Sequence, residues 1–300
     1  MRPLLAFLRL GRPLFLGGGF ILNALGAGLA ALAGHAIDPP RYALGQAVVT
    51  AFQLMTHYAN DYFDFEADRA NSTPTRWSGG SRVLPNAELP RGVALIAALV
   101  LAGLGALAGA ALWRAAGDRV GVVALVMALL AWAYSAPPLR LCATGLGELD
   151  TAVVVTGLVP LLGFLIQAPD LVGLRLVALA AATPFLLQIA MLLAIEFPDA
   201  AGDAATGKRT LVVRLGAERA AQLHVALTAL AYLWLPVAIA LGLPARIAWL
   251  ASLPAPIAVW RILRIAEHRD PAAHERLTTF AVLLLVLTAS AELIAVLTLL

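Results

Sequence analysis

Long apolar stretches separated by short polar ones set the pattern of this chain from end to end. A stretch of roughly 20 apolar residues is the length that crosses a bilayer core as a helix. Nine such spans can be read, near 14–34, 42–60, 92–113, 120–136, 149–168, 173–197, 219–241, 246–264 and 277–298. Most lack the polar face that a helix in a water-soluble core would need. The span at 120–136 is short, and the long one at 173–197 is expected to tilt or break near Pro184. The pattern predicts an all-α, polytopic membrane protein of about nine transmembrane helices, folded as one domain over residues 1–300.

Composition agrees. Of the 300 residues, 61% are hydrophobic and 13% charged, against about 25% charged in an average soluble domain. Arg2, Arg9 and Arg12 precede the first span as in a secretory signal. That span is long and everything after it has the same character, so a retained helix is expected. The single cysteine, Cys142, excludes an intramolecular disulfide.

The net charge of +3 says less than its distribution. With a cytoplasmic N-terminus, only Arg41, Arg114, Arg119, Arg175 and Arg246 of the 21 basic residues fall on the far side. Positive residues favour the cytoplasmic face. The expectation is a multi-pass cell-membrane protein whose N-terminus and long polar loops are cytoplasmic. No basic stripe with interleaved aromatics lies outside the membrane, so nucleic-acid binding is not expected.

The acids cluster on that same side, in two places. Asn60-Asp61-Tyr62-Phe63-Asp64-Phe65-Glu66-Ala67-Asp68 ends the second span, and Glu196-Phe197-Pro198-Asp199-Ala200-Ala201-Gly202-Asp203 ends the sixth. Asp61, Asp64 and Asp68 stand at i, i+3 and i+7, as do Glu196, Asp199 and Asp203. On a helix these positions share one face. Three like charges on one face near lipid repel and must be desolvated, which makes most sense if a cation sits there. Oxygen ligands without cysteine or a clear histidine partner suit Mg²⁺ rather than Zn²⁺. Each ladder is followed by a basic, glycine-bearing loop: Arg76, Gly79, Gly80 and Arg82 after the first, Gly207, Lys208 and Arg209 after the second. Arginine forks and glycine backbone N–H groups suit phosphate oxygens. Acids that hold metal beside bases that hold phosphate describe a metal–diphosphate site. A cation-coupled transporter is the alternative from another class. Against it, the acids sit at one membrane face rather than the midplane, and the neighbouring bases would repel a transported cation. The Asp-Gly…Ala-Arg…Gly…Asp…Asp stretch of CDP-alcohol phosphotransferases is absent.

The chain resembles the UbiA superfamily of intramembrane prenyltransferases. Asn60, Asp61, Asp64 and Asp68 match its N-D-x-x-D-x-x-x-D signature, and Asp199 and Asp203 its second D-x-x-x-D signature. Arg12-Pro13 looks like the family's opening, and Tyr134-Ser135-Ala136-Pro137-Pro138-Leu139-Arg140 like its Tyr-Ser-x-Pro-Pro-x-Arg stretch. The resemblance covers essentially the whole chain. It implies helices around a central cavity, a cytoplasmic diphosphate cap, a lateral opening for the prenyl tail, and Mg²⁺ as cofactor. The metal ligands would be Asp61, Asp64, Asp68, Asp199, Asp203 and Glu196, with Asn60 ordering the first ladder. Arg76, Arg82, Arg140, Lys208 and Arg209 would bind diphosphate. Residues 207–216, 79–85 and 145–148 are most similar to the dihydroxynaphthoate group of menaquinone synthesis. That group carries Asn-Asn-x-x-Asp where this chain has Ile195-Glu196-Phe197-Pro198-Asp199. The implied reaction transfers a prenyl group from an isoprenyl diphosphate to an aromatic acceptor, 1,4-dihydroxy-2-naphthoate first, with 4-hydroxybenzoate, homogentisate or another lipid precursor as alternatives. Asn23, His57, Tyr134 and Gln188 are candidates for acceptor or prenyl contacts, because polar groups at membrane depth face a bundle interior or a cavity. Glu292, in the last span, has no partner legible in the sequence.

Overall fold

The computed structural model describes residues 2–300, Arg2 by its backbone only. The described residues form helices and connecting turns, with no strand. A short amphipathic helix, α1 (Arg2–Leu10), leads into α2 (Pro13–Leu32). α3 (Pro39–Phe63) starts on Asp38, whose side chain accepts from the Arg41 N–H at 3.0 Å. That satisfies one orphan donor of the first turn. The six-residue α4 (Phe65–Ala70) continues α3 after a one-residue break. Then come α5 (Arg91–Ala116) and α6 (Asp118–Ser135), separated by Gly117 at φ 88°. α7 (Gly147–Thr151) passes through a π-helical stretch, Ala152–Leu158, into α8 (Val159–Gln167). α9 (Leu174–Glu196) is followed by α10 (Ala200–Ala205) and α11 (Leu211–Leu215). α12 (Ala217–Ala240), α13 (Ala245–Ala251), α14 (Ala255–Arg264) and α15 (His274–Leu297) complete the chain.

Seven of these segments are long and apolar enough to cross a bilayer. The other two expected spans differ for identifiable reasons. α3 has the length, but Gln46, Gln53, His57 and Asn60 lower its hydropathy. The span near 246–264 is divided into α13 and α14 by a turn at Ser252–Pro254. Pro184 does not break α9, which runs through it unbroken. Prolines persist in membrane helices where packed neighbours satisfy the freed backbone, and Thr183 hydroxyl donates across to the Ala231 carbonyl at 3.3 Å.

The outer surface fits lipid. Leu99, Leu104 and Leu107 on α5 and Leu263 on α14 are exposed. Contiguous apolar exposure of this kind is rare on monomeric soluble proteins. The helices pack in a ring: α2 on α3, α8 and α15; α3 on α5 and α6; α9 on α12, α15 and the π-helical stretch. At Gly26 the backbones of α2 and α8 touch, because a Cβ there would stand 1.9 Å from the Pro160 carbonyl oxygen. One basic residue assigned to a membrane face by sequence is instead fully buried. Arg261 donates to the Leu277 carbonyl and lies 3.0 Å from His224 Nε2, tying α12, α14 and α15 together. Glu292 is also fully buried, and neither carboxylate oxygen has a hydrogen-bond partner among the described residues.

The ring encloses a largely apolar cavity of about 220 Å³. Phe52, Met127, Met191 and Leu285 are among its walls, with Asn60, Tyr134 and Asp150 also lining it. A second, polar cavity of about 220 Å³ lies between Asp64, Arg140 and Lys208.

Candidate active site

The two acidic ladders come together at one end of the bundle. α4 packs on α10 at Gly202, where a Cβ would lie 3.1 Å from the Asn71 nitrogen and 3.2 Å from the Ala67 carbonyl oxygen. Only a residue without a side chain lets the two short helices approach so closely. Asn71 then donates from Nδ2 to Asp199 Oδ1 at 2.6 Å, and the Gly79 N–H donates to Asp199 Oδ2 at 3.1 Å. The first ladder keeps helical hydrogen bonds across its break, Asp64 N to Asn60 O and Asp68 N to Asp64 O. The second does not continue its helix. α9 stops at Glu196, Phe197–Asp199 form a turn, and Asp203 N rejoins Asp199 O in α10. Pro198 explains the stop, since it cannot donate to a helix.

Lys208 bridges the ladders. Its Nζ is 2.9 Å from Asp64 Oδ2 and 3.5 Å from Asp203 Oδ1. Asp64 also accepts from Asn60 Nδ2 at 2.8 Å and faces Arg140 Nη2 at 3.7 Å. Burial pushes the Asp64 carboxyl up, but Lys208, Arg140 and Asn60 outweigh it and hold the group below its ordinary value. Asp61 is held by the Arg12 guanidinium and the Ser81 hydroxyl, with the Ser81 N–H at 3.2 Å. Arg12 also donates to Asn60 Oδ1 at 3.0 Å.

Other acids are left wanting. Burial, then the charge of Asp61, pushes the Asp68 carboxyl well up, and its Oδ2 has no partner. Gly80 allows this carboxylate to fit, since a Cβ there would meet Asp68 Oδ2 at 2.1 Å. Burial pushes Asp203 up to about 7, partly opposed by Lys208, and its Oδ2 is likewise unpartnered. Glu196 turns toward Glu148, and Glu196 Oε2 is unpartnered too. No three of these carboxylates converge at metal-holding distances among the described residues. The donor set nevertheless fits a hard cation: all ligands are oxygen, and three buried carboxylate oxygens have no protein donor.

The remaining candidates divide. Arg82 donates to the Asp68 carbonyl. Arg76 and Arg209 are exposed, and among the described residues their side chains make no hydrogen bond or ion pair with the acids. Their hydrogen bonds are made by the main chain: Arg76 N–H donates to Glu275 on α15 at 2.9 Å, and Arg209 N–H to the Ala143 carbonyl at 3.1 Å. His57, Tyr134 and Gln188 line the apolar cavity. Asn23 does not. It is fully buried and donates to Gln46 Oε1 at 3.1 Å, an α2–α3 hydrogen bond.

Among the described residues, five non-glycine residues have positive φ, and three are arginines of this region: Arg12 at 47°, Arg82 at 62° and Arg140 at 42°. Such strain persists only where the surroundings over-determine it, and it concentrates at functional sites.

The profile of the UbiA prenyltransferase family matches residues 21–287. The chain belongs to this family. Two curated relatives are 1,4-dihydroxy-2-naphthoate octaprenyltransferases. That of Bacillus subtilis is 25% identical over 209 residues, 68% of this chain and 65% of that enzyme, just under two thirds of its length. That of Escherichia coli is 28% identical over 278 residues, 89% of this chain and 87% of the enzyme. Digeranylgeranylglyceryl phosphate synthase of Pyrococcus abyssi is 32% identical over 195 residues, 61% of each chain. Among solved structures, a UbiA homologue from Archaeoglobus fulgidus bound to GPP and Mg²⁺ superposes with a TM-score of 0.66. It is 16% identical, and the match covers 96% of this chain and 99% of that one. A digeranylgeranylglyceryl phosphate synthase structure gives 0.68 at 18% identity, covering 99% and 100%. The fold is thus that of UbiA-type membrane proteins.

Sequence reasoning passed over three residues: Asn71 and Ser81, which bond to ladder acids, and Asp150, which lines the apolar cavity. Asn71 and Ser81 lie in the basic loop after the first ladder and left no periodic signal. Asp150 was visible as an acid within an apolar span, three residues beyond Gly147.

Proposed function

We propose that this UbiA-family protein is a Mg²⁺-dependent prenyltransferase that moves a prenyl group from an isoprenyl diphosphate to an aromatic acceptor, 1,4-dihydroxy-2-naphthoate. The observation that carries the reading is Lys208 joining both acidic ladders, while Asn60 at the head of the first ladder lines the apolar cavity. The two naphthoate prenyltransferase relatives support the acceptor.

Asp64, Asp68, Asp199 and Asp203 would hold the metal, with Asp61 and Glu196 beside them. Mg²⁺ bound there would offset charge on the diphosphate and ease loss of the leaving group. The chain's own cations do the rest. Lys208 and Arg140 line the polar cavity and offer positive charge where the leaving diphosphate gains negative charge. Asn60 fixes Asp64 and ties it to Arg12, so the first ladder is ordered before substrate binds. The apolar walls keep water from the allylic carbon as its bond to oxygen weakens. Tyr134 lines the same wall, where its ring would stabilise that carbon's developing charge.

The testing experiment incubates purified protein with labelled prenyl diphosphates, Mg²⁺ and a panel of acceptors. Product with 1,4-dihydroxy-2-naphthoate is expected. Product only with 4-hydroxybenzoate or homogentisate would move the acceptor and leave the reaction class standing. The 32%-identical Pyrococcus relative supports a second reading, a glyceryl phosphate acceptor, which the same panel should include.

Two further outcomes are expected. Gln188 lines the cavity and its side chain has no protein partner among the described residues. Gln188→Leu should therefore raise the acceptor KM more than the diphosphate KM, because it removes a donor from one substrate only. Equal effects would place Gln188 in packing. The site loops are proposed to face the cytoplasm. In a Cys142→Ser background, cysteines at the exposed positions Ser72 and Ala205 should both be labelled from the cytoplasmic side alone. Labelling from opposite sides would contradict a shared site.

A further inference from the structure

Asp150 is the one acid on the apolar cavity wall, and none of the roles above uses it. It is 7% exposed, its Oδ1 has no hydrogen-bond partner, and it forms no ion pair among the described residues. The polar groups sharing that wall are mostly committed. His57 Nδ1 lies 2.8 Å from the Gly11 carbonyl oxygen, Gln53 donates to the Phe15 carbonyl and Thr151 to the Gly147 carbonyl. Arg12 is taken by Asp61 and Asn60.

The position of Asp150 is set by α7, which the surrounding loops hold against the polar end of the cavity. Glu148, two residues earlier, accepts from the Leu211 N–H at 2.7 Å, just after the loop that carries Lys208. Gly147 packs against Cys142 and the Tyr134 ring, and Cys142 Sγ lies 3.8 Å from Asp64. Asp150 therefore sits where the apolar cavity approaches the charged cluster. Immediately after Thr151 the backbone widens into the π-helical stretch, a feature that recurs at functional sites.

A carboxylate on an apolar wall without a donor is costly to keep there. A ligand that brings a donor removes that cost. A prenyl diphosphate brings none, since its tail is hydrocarbon and its head only accepts. An acceptor hydroxyl does. Resting on the prenyltransfer reading above, we propose that Asp150 is the general base that receives the acceptor's hydroxyl proton as the new bond to the prenyl carbon forms. The acceptor O–H bond breaks and its proton goes to the Asp150 carboxylate. The electron pair left on oxygen moves into the ring, and a ring carbon bonds to the allylic carbon. The allylic C–O bond breaks, and its pair leaves with the diphosphate. If the attacked carbon bears a carboxylate, loss of CO₂ returns a pair to the ring; if it bears hydrogen, that proton passes to the departed diphosphate and its bonding pair returns to the ring. In both cases Asp150 then returns its proton to the ring oxygen.

The test compares wild type with Asp150→Asn on a series of hydroxynaphthoates and phenols graded in hydroxyl acidity by ring substituents. With a weakly acidic acceptor, kcat should fall by about 10²-fold, the usual size of a general-base contribution. The KM for prenyl diphosphate should change by less than about twofold, because only the acceptor loses a partner. The loss should shrink as the hydroxyl grows more acidic and approach parity for acceptors already ionised in the assay. A purely structural role would not produce that gradient. A loss equal across the series, or no loss, overturns the proposal. Should Asp150→Asn fail to fold, Asp150→Ser with added formate carries the test: formate should restore rate with the weakly acidic acceptors, and no restoration overturns it. Wild type that transfers no prenyl group to any acceptor would overturn the prenyltransfer reading itself, an outcome distinct from a flat series.

Discussion

Replacing Asp64 with Asn should lower kcat by about 10²-fold or more while leaving the fold intact, because the change removes charge from the point where the site's cations meet. Asp64 contacts Lys208, Arg140 and Asn60 together, and among the described residues no other ladder acid pairs with two cations. Asparagine has the same shape and still accepts from Asn60, so packing is preserved and charge is what changes. Single-turnover assays with labelled prenyl diphosphate, alongside melting curves, separate the two effects. Near-wild-type kcat would mean that the ladders are not the site. Asp199→Ala should behave differently in one respect. Asn71 Nδ2 and the Gly79 N–H both lose their acceptor, so that variant should lose activity and also melt earlier, since unpaired buried donors are destabilising.

Chelation should abolish turnover, and Mg²⁺ should restore it. The ladders hold several acids with few compensating cations, and Asp68 Oδ2, Asp203 Oδ2 and Glu196 Oε2 have no donor. Stability should report the same cation. A ligand that binds only the folded state stabilises it by an amount that grows with the logarithm of its concentration above Kd, so added Mg²⁺ should raise the melting temperature of wild type. In Lys208→Met the only bridge between Asp64 and Asp203 is gone. The Mg²⁺-dependent rise should then be larger, because Asp203 is left with no cation beside it and Asp64 with Arg140 alone among the described residues. Full activity in excess chelator would falsify the metal role, and an unchanged melting temperature in both proteins would argue that no cation binds the ladders.

How far the site was legible depended on which physical signal each residue left. Asp61, Asp64 and Asp68 could be placed together because helical spacing alone puts them on one face, and the short break before α4 does not undo it. The matching spacing of Glu196, Asp199 and Asp203 was more fragile. Pro198 ends α9, so Glu196 closes one helix while Asp203 stands on the next, and Glu196 comes beside Glu148. Lys208 could be singled out because a base interleaved with acid ladders is more than a topology signal, and it lies between Asp64 and Asp203. Arg76 and Arg209 carried the same signal but point outward. A charge beside a span reports the side of the membrane it occupies, not the direction of its side chain. Asn23 failed for a related reason: polarity at membrane depth marks an interior, and the interior can be a helix contact as easily as a cavity.

The sequence by itself determined the apolar spans, the helical class and the local spacing of the acids, because hydrophobic periodicity and helix geometry act over a few residues. Only the tertiary structure decided which charge answers which. Lys208 meets Asp64 across 144 residues of chain, Asn71 meets Asp199 across 128, and Asp150 was turned onto the cavity wall with its Oδ1 unpartnered among the described residues. Such pairings follow from which helices pack as neighbours and at what depth. That outcome is set by glycine contacts such as Gly26 on Pro160 and Gly202 on Ala67, whose partners no local pattern specifies.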